Sequence, residues 1–326
     1  MRIAIAYPTT IQLIEKMASL YDDISVIVLD GYSTLEGVQW AVPRRLRPLG
    51  LESHVEILSE HDERAREYDV LLDSLETRHY LPRWWEDCEA WHGPRIVKIL
   101  WKRPYKPELT PARMEVLKRS VLSTENDSNR KMWEEATGLD VYEARYYPGD
   151  WWFDTEWVGD REELVFVLTH AKSREKNDAN SKDGLHDFWE VRRLCPGYHW
   201  DGDAEGHPSS NNMATQLARF RCYTNLDRPV SSRPLCLVFT EMLALGMPTI
   251  VRNYPKHDYV HYIDGNGFVC ESNQEVADAA SRLIADRGLA EACSVRSKEI
   301  ARRHFSREVI LGQWDVLLEK AIQCQG

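Results

Sequence analysis

Glu241 is the only charged residue between Arg233 and Arg252 in the chain segment that reads "SSRPLCLVFTEMLALGMPTIV" over Ser231–Val251. A carboxylate accepts two neighbouring hydroxyls well, as acids in nucleotide-binding folds do for a ribose. The helix that carries it starts near Cys236 and Leu237. The free N–H groups of a helix start form an anion site suited to a diphosphate. Eight residues before the acid, Arg233 offers a guanidinium that can grip a phosphate or a carboxylate, or can form a surface ion pair. "THAKSREKN" gathers Lys172, Arg174 and Lys176 into one stretch, either to neutralise phosphate charge or as a solvated basic loop. In "LLDSLETRHY", Asp73 and His79 could act as a base or hold a sugar or acceptor, with helix capping and surface charge as the plain alternative. "WKRPYK" adds Lys102, Arg103 and Lys106, which could guide an anionic acceptor or stay solvated.

These residues need a frame. "RIAIAY", "ISVIVLD", "YDVLLDS" and "RIVKILW" are short apolar runs without alternation, separated by stretches of helical periodicity. Such runs predict a parallel sheet covered on both faces. "VLSTENDSNRKMWEEATGL" predicts a strand and a helix closed by Gly138. After the turn-rich "YYPGDWWFD" the pattern restarts with "ELVFVLT", "LHDFWEVRRL", "GYHWDGD", "NNMATQLARF", "RCYTNL", "LVFTEMLALG" and "MPTIV". The expectation is an α/β chain with two Rossmann-like, doubly wound domains facing a central cleft. The first covers residues 1–155 and the second residues 156–305. A last helix over residues 306–326 crosses back to the first. In open sheets of this kind ligands sit beyond the carboxyl ends of the strands, so the loops after strands are where a site belongs.

Composition narrows the classes. The 326 residues are 43% hydrophobic and 29% charged, which fits a globular chain of two domains. The net charge of -11 argues against bulk electrostatic binding to nucleic acid or an anionic membrane. Seven dispersed cysteines without a C-x-x-C suit reduced thiols in a cytoplasmic protein rather than a disulfide frame or a zinc site. No apolar run is long enough to insert into a bilayer. "DGD" at Asp201–Asp203 fits a turn better than a metal site, so no metal is expected.

With these motifs in order, the second half resembles the donor-binding domain of the GT-B glycosyltransferases, most closely the retaining GT4 type. "EMLALGMPTIV" is similar to the family's "EAxAxGxPVV", "YIDGNGFV" to its "I-x-D-G-x-N-G-x-x-V", and "HFSREVILGQWDVLLEK" to its final crossing helix. The resemblance runs over roughly residues 115 to 322. It implies that Glu241 bonds the two ribose hydroxyls of a nucleotide. It also implies that the basic stretch of Lys172, Arg174 and Lys176 meets the donor phosphates, and that the start of the helix at Cys236 and Leu237 adds backbone N–H groups. Asp73 and His79 would then be the catalytic candidates, and Lys102 and Arg103 the acceptor-binding ones.

Departures are part of the pattern. The family's first acid falls on Arg233, its G-F-G on Pro234, Leu235 and Cys236, and its early glycine pair is absent from "YPTTIQ". The resemblance implies a metal-independent hexosyl or pentosyl transferase that needs no cofactor. It would move a sugar from a nucleotide-diphosphate sugar to a hydroxyl of a soluble acceptor, with retention. Two alternatives stand beside it. One is a phage-type DNA glycosyltransferase acting on flipped hydroxymethylated bases. The other is a sugar-nucleotide-binding protein without catalysis.

Overall fold

A computed structural model describes residues 1–7, 11–28, 34–59, 61–74, 93–99, 111–125, 127–168, 187–201, 210–226, 237–254 and 258–324. The chain divides into two compact units. Unit 1 is Met1–Tyr147 with Arg307–Gly326, and unit 2 is Pro148–Ser306.

Unit 1 carries a seven-stranded parallel sheet. Its strands are β1 (Ile3–Tyr7), β2 (Ile24–Val28), β3 (Val55–Ser59), β4 (Val70–Ser74), β5 (Arg95–Lys98), β6 (Val121–Thr124) and β7 (Val141–Glu143). The order across the sheet is β3-β2-β1-β4-β5-β6-β7. β1 pairs on one side with β2 (Ile3 opposite Ile24) and on the other with β4 (Ile3 opposite Val70). Strand order therefore reverses between β1 and β4. Ile3, Ile5, Val26, Ile96 and Val97 are all fully buried, which is what apolar runs without alternation require when both faces are covered. The helices are α1 (Ile11–Ala18), α2 (Leu35–Leu46), α3 (Pro111–Lys118) and α4 (Asp127–Thr137).

Unit 2 repeats the theme with β8 (Arg161–Leu168), β9 (Gly197–Asp201), β10 (Phe220–Asn225), β11 (Thr249–Arg252) and β12 (Gly267–Cys270), ordered β12-β11-β10-β8-β9. Here the order reverses between β8 and β10, which pair in parallel with Thr224 opposite Phe166. Its helices are α5 (Asp150–Asp154), α6 (residues 187–192), α7 (Ser210–Leu217), α8 (Leu237–Leu245), α9 (Asn273–Ala285) and α10 (Arg287–Phe305). Ser306, in extended conformation, breaks α10 from α11 (Arg307–Gln323), which belongs to unit 1. Within that unit, α11 buries Trp314 completely and donates from its indole to the Arg145 carbonyl at 2.9 Å.

Gly246 closes α8. Its φ is +83°, its N–H bonds the Leu243 carbonyl, and the Met247 N–H bonds Met242. That pair of bonds is a Schellman cap, which needs a left-handed residue. A Cβ at Gly246 would meet the Lys298 side chain at 2.9 Å, so α10 also packs hard against this corner.

Among the described residues, no helix is long and apolar enough to cross a membrane. Among them also, no cluster of three His, Cys, Asp or Glu could hold a metal ion.

Candidate functional site

Helix α8 is hydrophobic on every side, and every residue from Val238 to Leu245 is buried. It packs against α10 and α5, so no face is left for solvent. Glu241 is its one acid and is only 5% exposed. A buried carboxylate is expensive unless hydrogen-bonded, so its place in this helix is a strong constraint. The acid sits one full turn inside α8, and the first turn holds no acidic residue. Glu241 therefore lies beyond the first turn, the part of a helix where the dipole favours an acid. Leu237 is the first described residue of the helix.

Chain order sets where the neighbouring segments begin. β8 ends at Leu168 and β10 at Asn225, on neighbouring strands at the point where the order reverses. Residues 169–186 leave from the first end, and residues 227–236 leave from the second and lead into α8. A switch point is where doubly wound sheets bind ligands. Lys172, Arg174 and Lys176 belong to the first segment, Arg233 and Cys236 to the second, and all five lie outside the described residues. The chain order thus starts both cation-bearing segments from adjacent strand ends and delivers the second directly to the helix of Glu241.

In unit 1 the corresponding reversal lies between β1 and β4. Asp73 is the fourth residue of β4 and is 1% exposed, so it belongs to the strand itself. His79, Lys102 and Arg103 lie outside the described residues.

Sequence reasoning passed over a second polar centre in unit 1. Lys98, the last residue of β5, is completely buried. Its ammonium donates to the Ala144 carbonyl and lies 4.9 Å from the ring of Tyr146 and 5.2 Å from that of Trp314. Burial pushes the Lys98 ammonium well below its ordinary range, against the pull of Glu125 and Glu143. Glu125, just after β6, is pushed up by burial and held back by Lys98. Glu143 pairs with Arg145 beside them. The available signal was a lysine inside the apolar run "RIVKILW", which a fully covered strand carries only with a partner.

No family model matches the chain, and no curated protein matches it in sequence. Solved structures do. HepE from Anabaena, in complex with UDP-glucose, is similar with a TM-score of 0.65 at 14% identity, over 98% of this chain and 100% of that one. The sucrose-phosphate synthase of Thermosynechococcus elongatus gives 0.60 at 12% identity, over 98% of each chain. A glycosyltransferase from Rickettsia africae gives 0.58 at 10% identity, over 99% of this chain and 98% of that one. These likenesses, with the two doubly wound parallel sheets, establish the fold as that of the GT-B glycosyltransferases.

Proposed function

We propose that this chain is a glycosyltransferase that moves a sugar from a nucleotide-diphosphate sugar to a hydroxyl of a soluble acceptor. The observation that carries the reading is Glu241, a buried carboxylate in an otherwise apolar helix that follows the switch point of its sheet. The fold adds support, since HepE shares it and has been solved with UDP and with UDP-glucose.

In this reading Glu241 takes the ribose hydroxyls of the donor. The backbone at Cys236 and Leu237 meets the diphosphate. Lys172, Arg174, Lys176 and Arg233 offset its charge as the glycosidic bond breaks, so no metal is needed for that task. Asp73 and His79 are the candidates for contact with the reacting sugar, and Lys102 and Arg103 for the acceptor. Retention of configuration rests on the resemblance to the GT4 type.

Calorimetric titration with UDP and UDP-glucose tests the reading. The parent should bind both, and Glu241→Gln should lose about 1.5–3 kcal/mol, tenfold or more in affinity, while staying folded. Equal affinity in parent and variant would remove Glu241 from the site. Slow release of UDP from UDP-glucose without acceptor is expected of a transferase. Its complete absence, with binding intact, would favour a non-catalytic sugar-nucleotide-binding protein.

The basic stretch has its own signature. Charge on the leaving diphosphate grows toward the transition state, so a cation that meets it acts mainly there. Alanine at one of Lys172, Arg174 and Lys176 should lower kcat about tenfold or more with little change in donor affinity. Three single variants with the parent's kcat would leave only a solvated loop.

A further inference from the structure

The chain passes between its units twice, leaving unit 1 after Tyr147 and re-entering it at Arg307. β7 has three residues and ends at Glu143, short of the first crossing. Beyond it, both backbone groups of Ala144 and both of Arg145 are taken. The Ala144 N–H donates to the Thr124 carbonyl at 2.8 Å, and the Ala144 carbonyl accepts from the Lys98 ammonium. The Arg145 N–H donates to Gln313 Oε1 at 3.0 Å, and the Arg145 carbonyl accepts from the Trp314 indole at 2.9 Å. Two consecutive side chains of α11 thus hold residue 145 as a neighbouring strand would.

The same helix is seated at the second crossing. Arg307, its first residue, donates from Nη2 to the Leu20 carbonyl at 3.2 Å, just past the end of α1. The Tyr21 hydroxyl donates to Asp315 Oδ1 at 3.0 Å. Burial and the Asp315 carboxylate push the Tyr21 phenol above its ordinary range, so it stays a donor. Asp315 directly follows Trp314, which is completely buried. From Arg307 to Asp315 is about two turns of helix, a rigid element over that length. Its two seats therefore cannot shift independently.

We propose that α11 couples the two crossings: it holds the exit at Ala144–Arg145 and the entry at Arg307 as one piece, so that loosening either end loosens the other. The inference goes beyond the donor reading and does not depend on it. A coupling free energy between two places is reciprocal, so each end must act on the other to the same extent.

Amide hydrogen exchange, read residue by residue, tests it. Tyr21→Phe removes only the hydroxyl that Asp315 accepts from. Gln313→Leu removes only the acceptor of the Arg145 N–H, at a half-buried position of the helix. Each variant is read at the opposite end. Tyr21→Phe should speed exchange of the Arg145 amide about two- to fivefold, within what the loss of one hydrogen bond implies. Gln313→Leu should speed the Tyr21 amide, which donates to the Met17 carbonyl at 2.9 Å, by a similar factor. The amides of Ile5 and Val97, inside the sheet, should keep the parent's rates. Variants that quicken exchange only at their own ends would show two independent seats and overturn the proposal. Equal acceleration at Ile5 and Val97 would show general loss of stability and overturn it too. Should one variant not fold, the other decides alone through its distant amide.

Discussion

Gly267→Ala is expected to unfold unit 2 or destabilise it by more than about 4 kcal/mol, at the upper end of what single substitutions do. Gly267 opens β12 and lies opposite Thr249 of β11. A Cβ built there would stand 1.7 Å from the Thr249 carbonyl oxygen and 2.7 Å from its carbon. Both contacts are backbone, so no rotamer change relieves them. The strands would have to part, and the bond from the Thr249 N–H to the Asn266 carbonyl, 3.0 Å in the parent, would go with them. Urea unfolding followed by near-UV circular dichroism reads the effect, because unit 2 holds several of the tryptophans. A loss within about 1 kcal/mol would mean that β12 can move away from β11 at little expense. The same contact explains the second glycine of "DGNG", which the sequence presents only as a match to a pattern.

Lys98→Met should be nearly as damaging. It leaves the Glu125 carboxyl buried without the cation that favours its charged form, and breaking a buried pair from one side costs about 3–5 kcal/mol. Adding Glu125→Leu should recover most of that loss, since replacing both partners by apolar groups is often neutral. The pH dependence has a definite sign. A carboxyl whose folded pKa is raised contributes full stability at low pH, and loses it as pH rises from the ordinary carboxylate range through the raised value. Without Lys98, which lowers the Glu125 value, that value rises further. The penalty of Lys98→Met relative to the parent should therefore be smallest near pH 5 and largest near pH 8. A penalty independent of pH would show that Glu125 is not the group left unpaired.

Much of the fold is legible in the sequence, and three of the exceptions are edge strands. β1, β2, β4, β5 and β8 lie inside their sheets and carry the apolar runs that the sequence shows. β3, β7 and β12 are edge strands and are only partly covered. Glu56 of β3 and Glu143 of β7 sit on such edges, and polar residues there erase the run. α2 is obscured differently, because Pro43 lies inside it and reads as a break.

The site divides along similar lines. Glu241 is visible because a lone acid in an apolar helix has no ordinary role. The influence of Lys98 on Glu125 is not, because Lys98 ends β5 and Glu125 follows β6, and the two come near each other only when those strands lie side by side with Lys98 opposite Ser123. Tyr254 and Asn273 both donate to Asp187 from 67 and 86 residues away, and nothing in their local sequence announces that they touch.

The return of α11 to unit 1 has a consequence for biosynthesis. On the ribosome, unit 2 has all its residues once Ser306 has emerged, whereas unit 1, begun first, still lacks Trp314. At ~5–20 residues per second, translating Pro148–Ser306 holds the earlier sheet unfinished for roughly ten to thirty seconds. During that interval the surface that Trp314 will cover, including the strand end at Lys98, has no helix over it. The nascent chain should then depend on chaperones more than its final stability suggests, and a ribosome stalled within α10 should yield a folded second unit attached to a first that proteases can still cut.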